Sequence, residues 1–308
     1  MTPLQRYIAE EIATDHLDGL LSRREAVRRL GLLGISAAAA SALIAACGEK
    51  RPGLQSASNA EPPPATSTAP TEPPPGMAQA VPTVPVTWVG PAGELRGVWA
   101  AAAEPRGGVL VIHENKGLNS FAESVAARLA GVGYSALAID LLSAQGGTAA
   151  FADPAAATAA LGNIAPEVMI ADMRSGIAEV QRRLPDHQVA IVGFCMGGGL
   201  VWRLLAAGAP ELSAAVPFYG PTPENPDFSG SAGVAVLAFY GELDARVNAG
   251  EPAASAALEQ AGLVHDVVIE PGADHAFFND TGERYNAVAA VDAWTRLQDW
   301  FDRYLASG

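Results

Sequence analysis

Two cysteines, Cys47 and Cys195, are all that this 308-residue chain contains. At most one internal disulfide can form, which excludes a small core stapled by several bridges. Basic residues are also few: 19 Lys and Arg stand against 33 Asp and Glu, a formal charge of −14. Clustered cations that could neutralise phosphates are missing, so a nucleic-acid partner is not expected. There is no GK[ST] phosphate loop, and no His/Cys/Asp/Glu grouping has metal-ligand spacing. The one loose G-x-G-x-x-A match, GVGYSA at 131–136, follows a helical pattern and precedes a strand pattern, the reverse of a dinucleotide site. No cofactor or metal is therefore expected. Long apolar runs are missing too: the uncharged stretch 30–46, rich in Ala, Leu and Gly, has 17 residues, at the short limit for a membrane span.

What is present at the N-terminus reads as targeting sequence. The stretch Ser22, Arg23, Arg24, Glu25 carries a twin-arginine pair, the uncharged run follows, and Leu43, Ile44, Ala45, Ala46, Cys47 has the form of a lipobox. Residues 1–46 are expected as a signal peptide and Cys47 as the lipid attachment point, which makes the protein an exported lipoprotein anchored to the bacterial membrane. An uncleaved anchor helix is the alternative. Residues 1–47 hold five bases and five acids, leaving 14 of the 19 bases and 28 of the 33 acids to the remainder, so the acidity belongs to the mature chain. Residues 47–85, with proline triplets at 62–64 and 73–75 among Ser, Thr, Ala and Glu, cannot bury enough apolar surface to offset ordering entropy and read as an extended tether.

From residue 86 to 308 strand and helix patterns alternate. Strands are expected at 86–89, 95–101, 108–113, 134–141, 189–194, 214–219, 234–240 and 266–269, with helices at 120–129, 167–184, 196–207, 253–261 and 286–305. Most of the strands are apolar throughout, as they must be when helices cover both faces of a mostly parallel sheet. One α/β domain, monomeric, is expected.

Within it, VAIVGFCMGGG at 189–199 places Cys195 between an apolar strand and a helix, with Gly193 two residues before it and Gly197 two after. This is the G-x-nucleophile-x-G elbow of the α/β-hydrolase fold with Cys in place of Ser. A helix N-terminus favours thiolate and lowers a thiol pKa, so an activated nucleophile is expected. The fold then requires an acid and a histidine, each just after a later strand, and the chain offers Asp244 in GELD and His275 in DHAFFN. Glu242 is a rival acid. His113 ends the strand before the first loop and is expected to pack or hydrogen-bond there.

The combination of HENKGLN (113–119), AIDLL (138–142), GFCMGGG, GELD and DHAFFN resembles the dienelactone hydrolase family over essentially all of 86–308. That resemblance implies an α/β-hydrolase fold with Cys195 as nucleophile, His275 as base and Asp244 as its partner. It implies that Glu114 lies beside the resting thiol and helps to activate it, and that the N–H groups of Asn115 and Met196 form the oxyanion hole. It also implies a small-molecule ester or lactone substrate, cleaved through a thioester. The resemblance breaks where family members carry carboxylate-binding arginines; here those positions hold Ala144 and Asn279, with Lys116 and Arg246 nearby. A cysteine peptidase, or a non-catalytic surface protein that uses the fold for binding, are the alternatives.

Overall fold

The structure, a computed structural model, describes residues 1–49 and 73–305. Most of the expected tether lies outside the described residues. Eight strands form one sheet: β1 (Val84–Gly90), β2 (Gly93–Ala100), β3 (Gly107–Ile112), β4 (Tyr134–Asp140), β5 (Val189–Phe194), β6 (Ala214–Phe218), β7 (Ala235–Gly241) and β8 (His265–Glu270). Their order is β1-β2-β4-β3-β5-β6-β7-β8. Strand β2 runs antiparallel to both neighbours, and β4 through β8 are parallel. Every residue of β3 through β7 is buried, whereas β1 and β8, at the two edges, are half open. The apolar runs of the central strands are thus explained by burial on both faces, and the eight-stranded single α/β domain expected from the pattern is the one observed.

The helices are α1 (Pro3–Leu17), α2 (Arg23–Leu32), α3 (Ala37–Glu49), α4 (Ser120–Gly131), α5 (Pro154–Gly162), α6 (Pro166–Arg183), α7 (Met196–Ala206), α8 (Ala245–Asn248), α9 (Glu251–Gln260) and α10 (Ala287–Tyr304). Helix α4 packs on β2, β3 and β4, α7 on β5 and β6, and α10 on β6 and β7. Local chemistry starts them where they start: Asn119 and Asn286 cap α4 and α10 by accepting from Ala122 N–H and Ala289 N–H, each at 3.2 Å, and prolines open α5 and α6.

Residues 1–46, expected as a leader, are helical and packed on the domain. A capping box between Thr2 and Gln5 opens α1, and Leu4, Tyr7, Ile8 and Ile12, spaced to share one helical face, are buried. Helices α1, α2 and α3 pack on one another, and α1 and α2 also touch α5. Gln5 donates to Asn163 at 2.8 Å and Arg28 pairs with Asp153 at 2.8 Å. The uncharged run does not form one long rod, because the chain turns between α2 and α3 with Gly34 at φ +82°. Among the described residues no helix is long and apolar enough to cross a membrane.

The described end of the tether is packed rather than extended. Val81 N–H donates to Ala127 O at 3.1 Å, laying 76–83 along α4. Gly76 has φ +76°, and a Cβ there would fall 2.5 Å from the Trp294 ring. Beneath this segment Arg128 pairs with Asp280 at 2.7 Å, the two side chains 1% and 9% exposed. The pair ties α4 to the loop that follows His275. Removing one partner strands a buried charge, which costs about 3 kcal/mol or more. Asp280→Ala should therefore lower the unfolding free energy by at least that amount in urea denaturation, and Arg128→Met combined with Asp280→Leu should lower it less. An unchanged urea midpoint for Asp280→Ala would show that the pair does not hold the loop.

Candidate active site

Strand β5 delivers the chain to Cys195, whose backbone sits at φ 54°, ψ −116°, outside the ordinary regions for a side-chain-bearing residue. The strain is sustained by close backbone contacts that only glycine permits. A Cβ on Gly193 would lie 2.3 Å from Gly197 O, one on Gly197 2.5 Å from Ile112 O, and one on Gly198 2.5 Å from Phe218 O. Cys195 N–H donates to Phe218 O at 3.0 Å, fastening the turn to β6. The rings of Phe194, Phe218 and Phe278 stack below it, at 4.8 Å between Phe194 and Phe218 and 5.6 Å between Phe194 and Phe278.

Asp244 follows β7 and His275 follows β8, and the loops bring them together: Asp244 Oδ2 lies 2.6 Å from His275 Nδ1, both side chains 5% exposed. Asp244 Oδ1 also accepts from Val247 N–H at 3.2 Å, which aims the carboxylate. Burial alone would lower the His275 pKa, but the Asp244 charge and hydrogen bond raise it above the ordinary value. Burial likewise pushes against ionisation of Asp244, yet the imidazole holds its pKa below the usual range. The rival acid is engaged elsewhere: Glu242 Oε2 accepts from Gly272 N–H at 2.7 Å and braces the loop. His113 is fully buried. Its Nε2 accepts from Leu141 N–H at 3.2 Å, so Nδ1 carries the hydrogen donated to Glu114 O at 2.6 Å. That neutral ring staples the loop after β3 to the loop after β4.

Glu114 is buried and close enough for its charge to raise the thiol pKa. Its carboxylate accepts from Asn279 Nδ2 at 2.7 Å and from Tyr219 OH at 3.3 Å. Burial raises its pKa. Asn279 is thus a partner of Glu114, and Ala144 is exposed on the loop after β4. Met196 N–H, the first of α7, lowers the thiol pKa in part.

The carboxylate on the thiol comes from an unexpected place. Cys195 Sγ–H donates to Glu11 of α1, with the two carboxylate oxygens at 3.4 and 3.5 Å. Asn115 Nδ2 donates to Glu11 Oε1 at 2.9 Å. Tyr7 OH lies 3.3 Å from Sγ and 3.5 Å from His275 Nε2, and the guanidinium of Arg246 covers the Tyr7 ring at 4.6 Å. Arg284 pairs with Asp15 at 2.9 Å and Asp18 at 2.6 Å. Cys195 is left 2% exposed and His275 4%. The donor atoms of Glu11, Cys195 and His275 all lie within 4.8 Å of one another, a grouping that could hold a metal ion and that no sequence spacing reveals. The activated thiol expected from the helix N-terminus is not what results. Burial pushes the Cys195 pKa well up, the Glu11 and Glu114 charges add to it, and Tyr7 OH and Met196 N–H offset only part.

Comparison with known proteins follows this geometry. The profile of the dienelactone hydrolase family matches residues 95–305. The chain belongs to the dienelactone hydrolase family. A protein of Escherichia coli O157:H7 provisionally named carboxymethylenebutenolidase is 32% identical over 208 residues, 64% of this chain and 76% of that one. A Saccharolobus solfataricus protein of the same provisional name is 30% identical over 244 residues, 68% and 94% of the two chains. The crystal structure of a provisionally named dienelactone hydrolase from Klebsiella pneumoniae subsp. pneumoniae superposes with a TM-score of 0.63 at 27% identity, over 73% of this chain and all (100%) of that one. The match begins inside β2, so α1, α2 and α3, which supply Tyr7 and Glu11, lie outside the family's shared domain. Motif reasoning confined to that domain had no means of finding them; the signal available was the amphipathic spacing of α1.

With the thiol pKa raised, thiolate is scarce at neutral pH and grows as pH rises. Cys195 in the full chain should react with iodoacetamide at pH 7 more slowly than a free thiol of pKa about 8.5, its rate still climbing above pH 9. Mass mapping separates Cys195 from Cys47. A rate already at its plateau by pH 7 would contradict the assignment.

Proposed function

We propose that this protein hydrolyses activated carboxylic esters or enol lactones through a Cys195–His275–Asp244 triad and a thioester intermediate. The observation that carries the reading is the Asp244–His275 bond of 2.6 Å directed at a nucleophile elbow. The provisional names of its relatives point to the same substrate class. His275 Nε2 takes the thiol proton as Sγ attacks the carbonyl carbon. The N–H groups of Asn115 and Met196 hold the oxyanion. Collapse expels the alcohol or enol, which takes the proton from His275, and leaves the acyl group on sulfur. His275 then deprotonates water, water attacks the thioester, the acid leaves, and the thiol is restored. A thiolate is itself a good leaving group, so the tetrahedral adduct reverts unless the departing oxygen is stabilised. Aryl esters and enol lactones should outrun amides for that reason, which favours an esterase over a peptidase. Glu114, buried in the same site and bonded to Asn279 and Tyr219, raises the thiol pKa by its charge, so in this arrangement it opposes ionisation of the sulfur.

His275→Ala should reduce aryl ester hydrolysis at least about 10²-fold with circular dichroism unchanged. Asp244→Asn should also reduce it, and Glu242→Gln should leave kcat within a few-fold. Hydrolysis that survives His275→Ala would sink the triad, and no hydrolysis of any ester or lactone by the folded protein, whether α1 is in place or displaced, would favour a binding protein.

We further propose that the chain is exported and lipidated at Cys47, supported by the order of twin arginines, uncharged run and lipobox. Several acyl chains together give stable attachment where one alone is marginal. Cys47→Ala should leave the membrane fraction and keep a mass without lipid. An unchanged mature mass and unchanged membrane retention would refute the lipid assignment.

A further inference from the structure

We propose that the N-terminal segment bearing α1 is an intramolecular inhibitor that fits the catalytic cleft as a false product, with Glu11 in place of the released carboxylate and Tyr7 in place of the departing hydroxyl. The inference rests on the reading of Cys195 and His275 as the reacting pair. A lactone opened through the thioester ends as one product that carries both a carboxylate beside the nucleophile and the freed hydroxyl near nucleophile and base, whereas an ester's alcohol leaves one step before its acid. Glu11 takes the first position, bonded to the thiol at 3.4 Å and to Asn115 Nδ2 at 2.9 Å. Tyr7 OH takes the second, 3.3 Å from Sγ and 3.5 Å from His275 Nε2. No room is left for a carbonyl carbon at the sulfur, which is 2% exposed.

The segment is held by more than these two contacts. Its apolar face, Leu4, Tyr7, Ile8 and Ile12, is buried. Arg284 clamps Asp15 and Asp18 at 2.9 and 2.6 Å, with all three side chains at most 23% exposed. Arg246, 4.6 Å from the centre of the Tyr7 ring, caps the other side. Helix α3 closes the mouth: Leu43, Ala46 and Cys47 line a cavity of about 450 Å³ together with Asp244, His275 and Arg284. A cut just before Cys47, at the lipobox, would detach α1, α2 and nearly all of α3 in one piece. Leader removal would then free the cleft, so the protein would become active only as it matures.

The test uses the full chain with Asp15→Arg and Asp18→Arg together, which turns the Arg284 clamp into repulsion without touching the reacting groups. Iodoacetamide labelling of Cys195 and aryl ester hydrolysis should both rise at least about tenfold over wild type, the effect of losing one charge-assisted hydrogen bond from a largely buried pair. A synthetic peptide of residues 1–21 added in trans should suppress both again, and the same peptide carrying Tyr7→Ala and Glu11→Ala should not. If the double variant does not fold, Tyr7→Ala with Glu11→Ala in the full chain, which leaves the Arg284 pairs intact, should accelerate labelling in the same direction. Labelling and hydrolysis unchanged in the folded variants would overturn the proposal. So would a fall in hydrolysis with the fold intact, which would make α1 part of the working cleft. Faster labelling without hydrolysis of any ester would uphold the inhibitor and defeat the hydrolase reading instead.

Discussion

The backbone of Cys195, bent to a positive φ that a side chain seldom tolerates, is the constraint on which the rest of the site depends. The bend sets the sulfur at the sheet's carboxyl edge, between the end of β5 and the start of α7. It can persist only because β5, β6 and α7 approach at glycine: a Cβ on Gly220 would fall 2.2 Å from the Gly198 carbonyl carbon, so not even a methyl group fits between the strand and the helix. The packing below supports the same geometry. Phe239 stacks on Phe218 at 4.5 Å and Phe121 meets Phe194 edge-on at 5.2 Å, so the turn stands on a column of rings that cannot compress without clashes.

Two physical effects compete at the sulfur, and their order of magnitude decides which wins. A helix N-terminus offers a fraction of a charge within one turn. Against it stand complete burial and two carboxylates, and those prevail. The elbow therefore specifies where the nucleophile is, and the surroundings specify whether it is ionised. With α1 in place the thiol is kept protonated, hydrogen-bonded and shielded. Its reactivity is a property of the occupant of the cleft as much as of the turn.

The domain from β1 onward was legible because each of its features leaves a local mark. Apolar runs gave the buried strands, paired glycines gave the elbow, and a strand followed by GELD or by GADH gave the acid and the base. Asp244 could not be separated from Glu242 by position alone, since both sit in one tight turn; the separation needed the contact of Glu242 with Gly272 N–H, a partner from the next loop. Helix α5 went unseen because its run of Ala and Thr has little periodicity to read. The roles of Tyr7 and Glu11 were hidden for a different reason. They lie in a stretch whose arginine pair and uncharged run speak of targeting, and one reading masked the other although the two are compatible: an amphipathic helix can precede a leader's arginines and still have a face that fits a cleft. The sequence marks Asn279 only by the arginine it replaces, whereas its place is set by what it touches, the carboxylate of Glu114.

The ion pairs that fasten α1 also determine the electrostatic character of the cleft beneath it. Glu11, Asp15 and Asp18 all belong to the segment, while Arg246 and Arg284 belong to the domain. With the segment gone, two guanidinium groups would face solvent at the mouth with three fewer carboxylates to balance them. Arg284 would still have Asp274 at 3.7 Å, so on a chain of net charge −14 the mouth would be less negative than with the segment in place, a difference that an anionic ligand would feel at low salt and lose as salt is added.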